Sequence, residues 1–211
     1  RDGVSAVWRR RTLRIITIEA INGNIAFSIM IGQSVIYQRL DLGFDPGTGA
    51  NNPVYALAVQ QDGRILIGGL FTLMNGTSRN FIARLNPDGT VDPLFNTGAG
   101  ADGLVRAILI QPDGKIVIGG DFATYDGVPR TRLARLNTDG SLDAAFNVSG
   151  GPNDFVSALS VQADGKIIVG GGFTSVSGLV RSRAARLNAD GTVDPTINFG
   201  VGANDAVLAS L

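Results

Sequence analysis

Hydrophobic and polar positions along this chain alternate in short bursts broken by turn residues, with no long stretch at helical spacing. The segment 105–147 shows the pattern best. Val105–Gln111 alternates and is rich in branched side chains, the signature of a half-buried strand. Pro112-Asp113-Gly114 then reads as a hairpin turn, and Lys115–Gly120 as a second, more apolar strand. That strand ends on a glycine pair, where a bulge or a close backbone approach is expected. A loop containing Asp126-Gly127 leads to a third strand over Arg132–Asn137. Asp139-Gly140 turns the chain into a short fourth strand over Ser141–Asn147.

The same pattern returns every 51 residues. Asp62, Asp113 and Asp164 each precede a turn glycine, and Phe71, Phe122 and Phe173 each follow a Gly-Gly pair at the same distance. Arg84, Arg135 and Arg186 each open an Arg-Leu-Asn triplet. Asp41, Asp92, Asp143 and Asp194 mark one place in four successive units. Units 92–142 and 143–193 are identical at 23 of 51 positions without a gap, which chance does not produce. Residues 41–211 therefore comprise units 41–91, 92–142 and 143–193 and the start of a fourth, 194–211.

Four antiparallel strands in about 50 residues is the sequence signature of a β-propeller blade. The expected fold is all-β, an arc of blades from a larger propeller. A blade cannot bury both faces alone, and the three phenylalanines are the expected between-blade packing positions. A chain stopping at Leu211, inside the first strand of the fourth unit, is expected to leave blade faces and strand edges exposed and to be marginally stable alone.

Residues 1–40 lie outside the repeat. Arg14–Ala20 and Ile25–Ile31 flank Asn22-Gly23 and read as a β-hairpin or a degenerate blade. A signal-peptide remnant based on Arg9-Arg10-Arg11 is the competing reading, opposed by Glu19, Asn22 and Asn24 within its apolar stretch.

Composition sharpens this picture. Seventeen of the 18 acids are aspartate, which favours turns over helix. Formal net charge is zero, split as +4 over residues 1–40 and −4 over 41–211, so no attraction to nucleic acid is implied. No apolar run approaches the length of a membrane-spanning helix. The absence of both Cys and His removes thiol nucleophiles, imidazole bases and Cys/His zinc sites.

The run "QPDGKIVIGGDF" followed by "RLARLNTDGSLDAAFN" closely resembles the delta-60 repeats of bacterial β-propeller proteins. The flanking units match it in "QQDGRILIGGLF" with "FIARLNPDGTVDPLFN", and in "QADGKIIVGGGF" with "RAARLNADGTVDPTIN". The resemblance implies a propeller within a large secreted or cell-surface bacterial polypeptide, further blades or domains included, and carries no known enzymatic activity with it.

Individual motifs add less. Gly98–Gly103 fits the dinucleotide fingerprint G-x-G-x-x-G, but a strand follows where that fingerprint needs a helix, so a loop between blades is expected. The Asp-Gly turns lack the dense oxygen ligands of a calcium loop; Asp102 and Asp154 are left as candidates for a weak calcium site, and no other cofactor is expected. Arg84, Arg135 and Arg186 stand eight residues before Asp92, Asp143 and Asp194, as a repeated ion pair would. Arg79, Arg130 and Arg181 fall in loops and are the candidates for partner contact. Asn75-Gly76-Thr77 and Asn147-Val148-Ser149 are formal glycosylation sequons.

Two functions follow. One is a non-enzymatic module that binds a protein or glycan through loops gathered at one end of the blades. The alternative is a metal-dependent propeller hydrolase or lactonase, which needs distinct carboxylates from different blades. Here the acids instead recur at equivalent turns.

Overall fold

The computed structural model describes residues 43–45, 47–146, 148–197, 200 and 202–208, together with the backbone of three N-terminal strands. Asn22-Gly23, Arg9–Arg11, Asp41, Asn147 and Leu211 lie outside the described residues. The chain divides after Phe44 into two units.

In the first unit, β1 (Arg14–Ile21), β2 (Asn24–Ile31) and β3 (Ser34–Arg39) form an antiparallel meander in the order β1-β2-β3. Ile21 pairs with Asn24, and Ile31 with Ser34. The third of these strands has no counterpart in the pattern reading.

The second unit is a succession of alike sheets. In the first, β4 (Val54–Val59), β5 (Ile65–Gly69) and β8 (Ile82–Leu85) pair in the order β4-β5-β8, while β6 (Leu73–Met74) and β7 (Thr77–Ser78) form a separate small hairpin. The second repeats this with β9 (Val105–Ile110), β10 (Ile116–Gly120), β11 (Thr124–Tyr125), β12 (Val128–Pro129) and β13 (Leu133–Leu136). The third uses β14 (Val156–Val161), β15 (Ile167–Gly171), β16 (Ser175–Val176), β17 (Leu179–Val180) and β18 (Ala184–Leu187).

Two details depart from the pattern reading. The fourth strand expected over Ser141–Asn147 is one bridge long, Leu142 with Leu136, and Leu85–Val91 and Leu187–Val193 are its equivalents. The reason is Asp143. Its Oδ1 accepts the Ala145 N–H at 2.9 Å and closes a turn before a second ladder bond can form. The loop at Asp126-Gly127 is itself a hairpin, with both residues at positive φ (48° and 72°) as a type I′ turn requires.

The core lies between successive sheets rather than inside any one. Leu66 and Ile82 of the first sheet join Val105, Ile116, Ile118 and Phe122 of the second in one buried cluster. Val117 and Leu133 of the second join Val156, Ile167, Val169 and Phe173 of the third in another. Phe71, Phe122 and Phe173 are fully buried. The first strands β4, β9 and β14 neighbour one another in order. Blade-on-blade stacking of this kind, repeated at fixed interval, is the architecture of an arc of β-propeller.

The glycine pairs make the stacking possible. A Cβ on Gly120 would stand 1.9 Å from the Leu104 carbonyl oxygen, so this position tolerates no side chain. The register shift between Gly119 and Gly120 is the bulge that brings the two backbones together.

Candidate functional site

Within each three-stranded antiparallel sheet, the first hairpin turn and the turn after the third strand fall at the same end. That end collects the recurring aspartates, and each carboxylate is committed to its own turn. Asp62, Asp113 and Asp164 accept the N–H two residues on, at 3.0, 3.0 and 3.2 Å. Asp88, Asp139 and Asp190 accept both the N–H and the hydroxyl of Thr90, Ser141 and Thr192. The Arg64 backbone N–H holds the Asp62 carboxyl below its ordinary value, and the Ser141 hydroxyl does the same for Asp139.

Behind the turns runs a ladder of ion pairs. Arg84 Nε stands 2.8 Å from Asp92 Oδ2, Arg135 Nε 2.8 Å from Asp143 Oδ2, and Arg186 Nε 2.8 Å from Asp194 Oδ2. A second cation meets the same oxygen in two units: Lys115 Nζ on Asp143 and Lys166 Nζ on Asp194, each at 2.8 Å. In the first unit Arg64 Nε stands 3.4 Å from Asp92. The arginines also reach into the next unit. Arg84 Nη1 donates to the Thr138 carbonyl and Arg135 Nη1 to the Ala189 carbonyl, both at 2.6 Å, while the two guanidinium groups lie over the rings of Phe95 and Phe146. Each is thus an ion pair, a carbonyl cap and a link between blades at once.

Burial opposes ionisation of Asp143, but hydrogen bonds from Lys115, the Ala145 N–H and Arg135 outweigh it and bring the carboxyl down to about 2. The Lys166 ammonium, followed by Thr196, holds Asp194 well below the usual carboxylate range.

Two adjoining clefts open between the first two of these blades at the turn end. One, of about 350 Å³, is lined by Gln60, Gln61, Asp62, Gln111, Pro112 and Asp113 among others. The other, of about 370 Å³, shares Gln60 and Asp62 and adds Arg64, Arg84, Leu94 and Asp139. Gln60 Oε1 accepts from Arg84 Nη1 at 3.5 Å, and Gln162 Oε1 from Arg186 Nη1 at 3.4 Å. Gln111 is buried, with 7% of its surface exposed, and its Oε1 has no donor. A buried acceptor left unpaired is costly, and Gln111 is one of the residues that line the first cleft.

The other sequence candidates are placed as follows. Asp102 Oδ1 accepts the N–H groups of Ala123 and Thr124, at 2.7 and 2.9 Å, and so pins the entry loop to the small hairpin. Asn51 and Asn153 do the same in their own units, so an amide serves this place as well as a carboxylate. Asp154 Oδ1 accepts the Phe155 N–H at 2.7 Å. Among the described residues, no group of three acidic side chains comes together as a metal site. Arg79, Arg130 and Arg181 each turn Nη1 back to donate to the carbonyl of the residue before, at 3.0, 2.8 and 2.8 Å.

Pattern reading passes over the glutamines and the second cations. Gln60, Gln111 and Gln162 recur at the 51-residue interval, as do Arg64, Lys115 and Lys166. Their shared period is the signal that could have found them.

Residues 60–95, 111–146 and 162–196 match the family described as "Domain of unknown function (DUF5122) beta-propeller". No curated protein matches the chain. Among solved structures, the chain is similar to the extracellular domain of a candidate one-component system from B. thetaiotaomicron. It has 14% identity and a TM-score of 0.45, over 88% of this chain and 22% of that one. It is also similar to a protein of unknown function from Bacteroides caccae, with 14% identity and a TM-score of 0.34 over 88% and 81% of the two chains.

Proposed function

We propose that this chain, which belongs to the DUF5122 β-propeller family, is a non-enzymatic binding module that takes a protein or glycan ligand at the turn end of its blades. The observation that carries this reading is the cleft in which amides and carboxylates from two blades converge, with the unpartnered Gln111 acceptor buried in its lining. Groups of this kind recognise hydroxyl and amide donors. The recurring carboxylates support the non-enzymatic part. They are spent on turns and ion pairs, and their depressed pKa values at Asp62, Asp139 and Asp143 suit anions rather than proton-transfer groups at neutral pH.

The finer assignment, to the delta-60 repeats, rests on the linked motifs "QPDGKIVIGGDF" and "RLARLNTDGSLDAAFN", whose equivalents fall in all three matched segments. A place in a secreted or cell-surface bacterial polypeptide follows from that assignment.

The test is a binding screen of the whole chain against immobilised oligosaccharides and peptides, run beside a Gln111→Met/Asp113→Ala variant. A ligand held at least about tenfold more weakly by the variant, about 1.4 kcal/mol, supports the cleft. Ligands bound equally by both proteins would move the site elsewhere. Turnover of lactone or ester substrates by the purified chain would sink the non-enzymatic reading.

A further inference from the structure

Strands β6 and β7 are joined by two residues, Asn75-Gly76, between the paired Met74 and Thr77. Both stand at positive φ, 50° and 73°, in the type I′ turn for which Asn-Gly is the preferred pair. Asparagine is chemically labile, and most so before glycine, which leaves the following nitrogen unshielded. A Cβ on Gly76 would meet no atom within 4 Å, and among the described residues its N–H has no acceptor.

The entry loop of the blade holds this turn shut. Asn75 N–H donates to the Gly49 carbonyl at 2.7 Å, and Thr48 N–H donates to Asn75 Oδ1 at 3.1 Å. A type I′ turn gives its first residue a ψ near +30°, which sets the next nitrogen about 150° from Cβ around the Cα–C bond. Attack of that nitrogen on Cγ needs the two nearly eclipsed. The closed hairpin therefore blocks the reaction, and the turn must open first.

The next blade shows what the product would do. Asp126 stands where Asn75 does, its N–H donating to the Gly100 carbonyl at 2.7 Å and its Oδ1 accepting the Ala99 N–H at 2.8 Å. A carboxylate thus fits this anchor, and as a charged acceptor it binds the N–H more strongly than an amide does.

We propose that Asn75 is a site of spontaneous deamidation gated by the opening of its own hairpin, and that the aspartate formed returns to the anchor Asp126 occupies one blade on. The Gly76 nitrogen gives up its proton and bonds to Asn75 Cγ. The Cγ–Nδ2 bond breaks, and the side-chain nitrogen leaves as ammonia with that proton. Water then opens the cyclic imide at either carbonyl, giving aspartate or its β-linked isomer. The first blade acquires by ageing the group that the second carries in its sequence.

The tryptic peptide 65–79 has Asn75 as its only asparagine, so its mass reads the conversion apart from Asn22-Gly23, the other Asn-Gly pair of the chain. The whole chain is held in one buffer with and without urea. Conversion should be at least about tenfold slower without urea, as for a site reached only by local opening. Thr48→Pro removes the donor to Oδ1 and should speed conversion of the folded chain at least about threefold, the effect of one hydrogen bond on the opening equilibrium. Asn51→Ala frees the Thr72 and Leu73 N–H groups that tie the entry loop to the hairpin, and serves if the first variant does not melt cooperatively. Asn75→Asp should melt no lower than the parent. Equal rates with and without urea overturn the gating, as does an anchor variant that reacts no faster than the parent. An Asn75 left unconverted in the folded parent and in both anchor variants overturns the site itself. A lower melting temperature for Asn75→Asp overturns the return to the anchor.

Discussion

Arg135→Leu tests the physical basis of the array at its centre. Three interactions are lost together: the 2.8 Å pair with Asp143, the 2.6 Å bond to the Ala189 carbonyl of the next blade, and the stack on Phe146. Removing one partner of a buried ion pair costs about 3–5 kcal/mol when the other charge is left alone. Asp143 is not left alone, because Lys115 Nζ remains at 2.8 Å. The carbonyl of Ala189 adds a neutral bond worth about 1 kcal/mol, and the leucine restores some apolar contact with Phe146. The balance is a loss of about 2–4 kcal/mol, read by urea unfolding of the whole chain. In a protein of this size it corresponds to roughly 5–15 °C in Tm. Because the arginine links two blades, the transition should also broaden as neighbour coupling weakens. Repeating the measurement in Asp143→Asn closes a double-mutant cycle, with an expected coupling of at least about 1 kcal/mol. A variant within about 0.5 kcal/mol of the parent and equally sharp would refute the idea that these pairs fasten the blades.

Two further outcomes follow from the same geometry. The folded-state pKa of Asp143, about 2, lies below its unfolded value, so its stabilisation is complete above about pH 5 and is lost as pH falls through about 2. It amounts to at most about 2 kcal/mol, less after solvent screening; Lys115→Met should raise the midpoint of acid unfolding followed by circular dichroism, and an unmoved midpoint would contradict the assignment. Asp102→Asn should leave thermal stability within about 0.5 kcal/mol of the parent, since Asn51 and Asn153 make the same two bonds, whereas Asp102→Ala should cost about 1–2 kcal/mol; a large loss in the asparagine variant would show that the charge itself matters.

Much of the fold is legible because the repeat writes it three times. Alternation locates the three long strands of each blade to within a residue or so, and the Asp-Gly pairs locate the turns between them. The eight-residue interval between Arg135 and Asp143 is visible too, since one bridge across a tight turn brings such positions together. Two features are hidden. Leu142 and Phe146 suggest a fourth strand, but Asp143 between them caps a turn, and a local side-chain bond overrides the pattern. The reach of Arg135 to Ala189 spans 54 residues and depends on how blades stack, which no local pattern encodes.

The cleft is harder to foresee. Glutamine has no strong positional signature, and Gln60, Gln111 and Gln162 read as ordinary strand ends. Only stacking shows that the middle one is enclosed while its flanking counterparts reach an arginine. For Arg79, Arg130 and Arg181, a loop position does not reveal that Nη1 donates to the carbonyl of the residue before.

The glycine pairs have a consequence at the level of the gene. Every single-base missense change in a glycine codon adds a β-carbon. At Gly68, Gly69, Gly119, Gly120, Gly170 and Gly171 that atom would meet a neighbour at 2.8 Å or less. No one-step substitution is gentle at these positions. Drift in such an array is therefore channelled into the turns and small hairpins, and blades can diverge in what they display while staying interchangeable in how they stack.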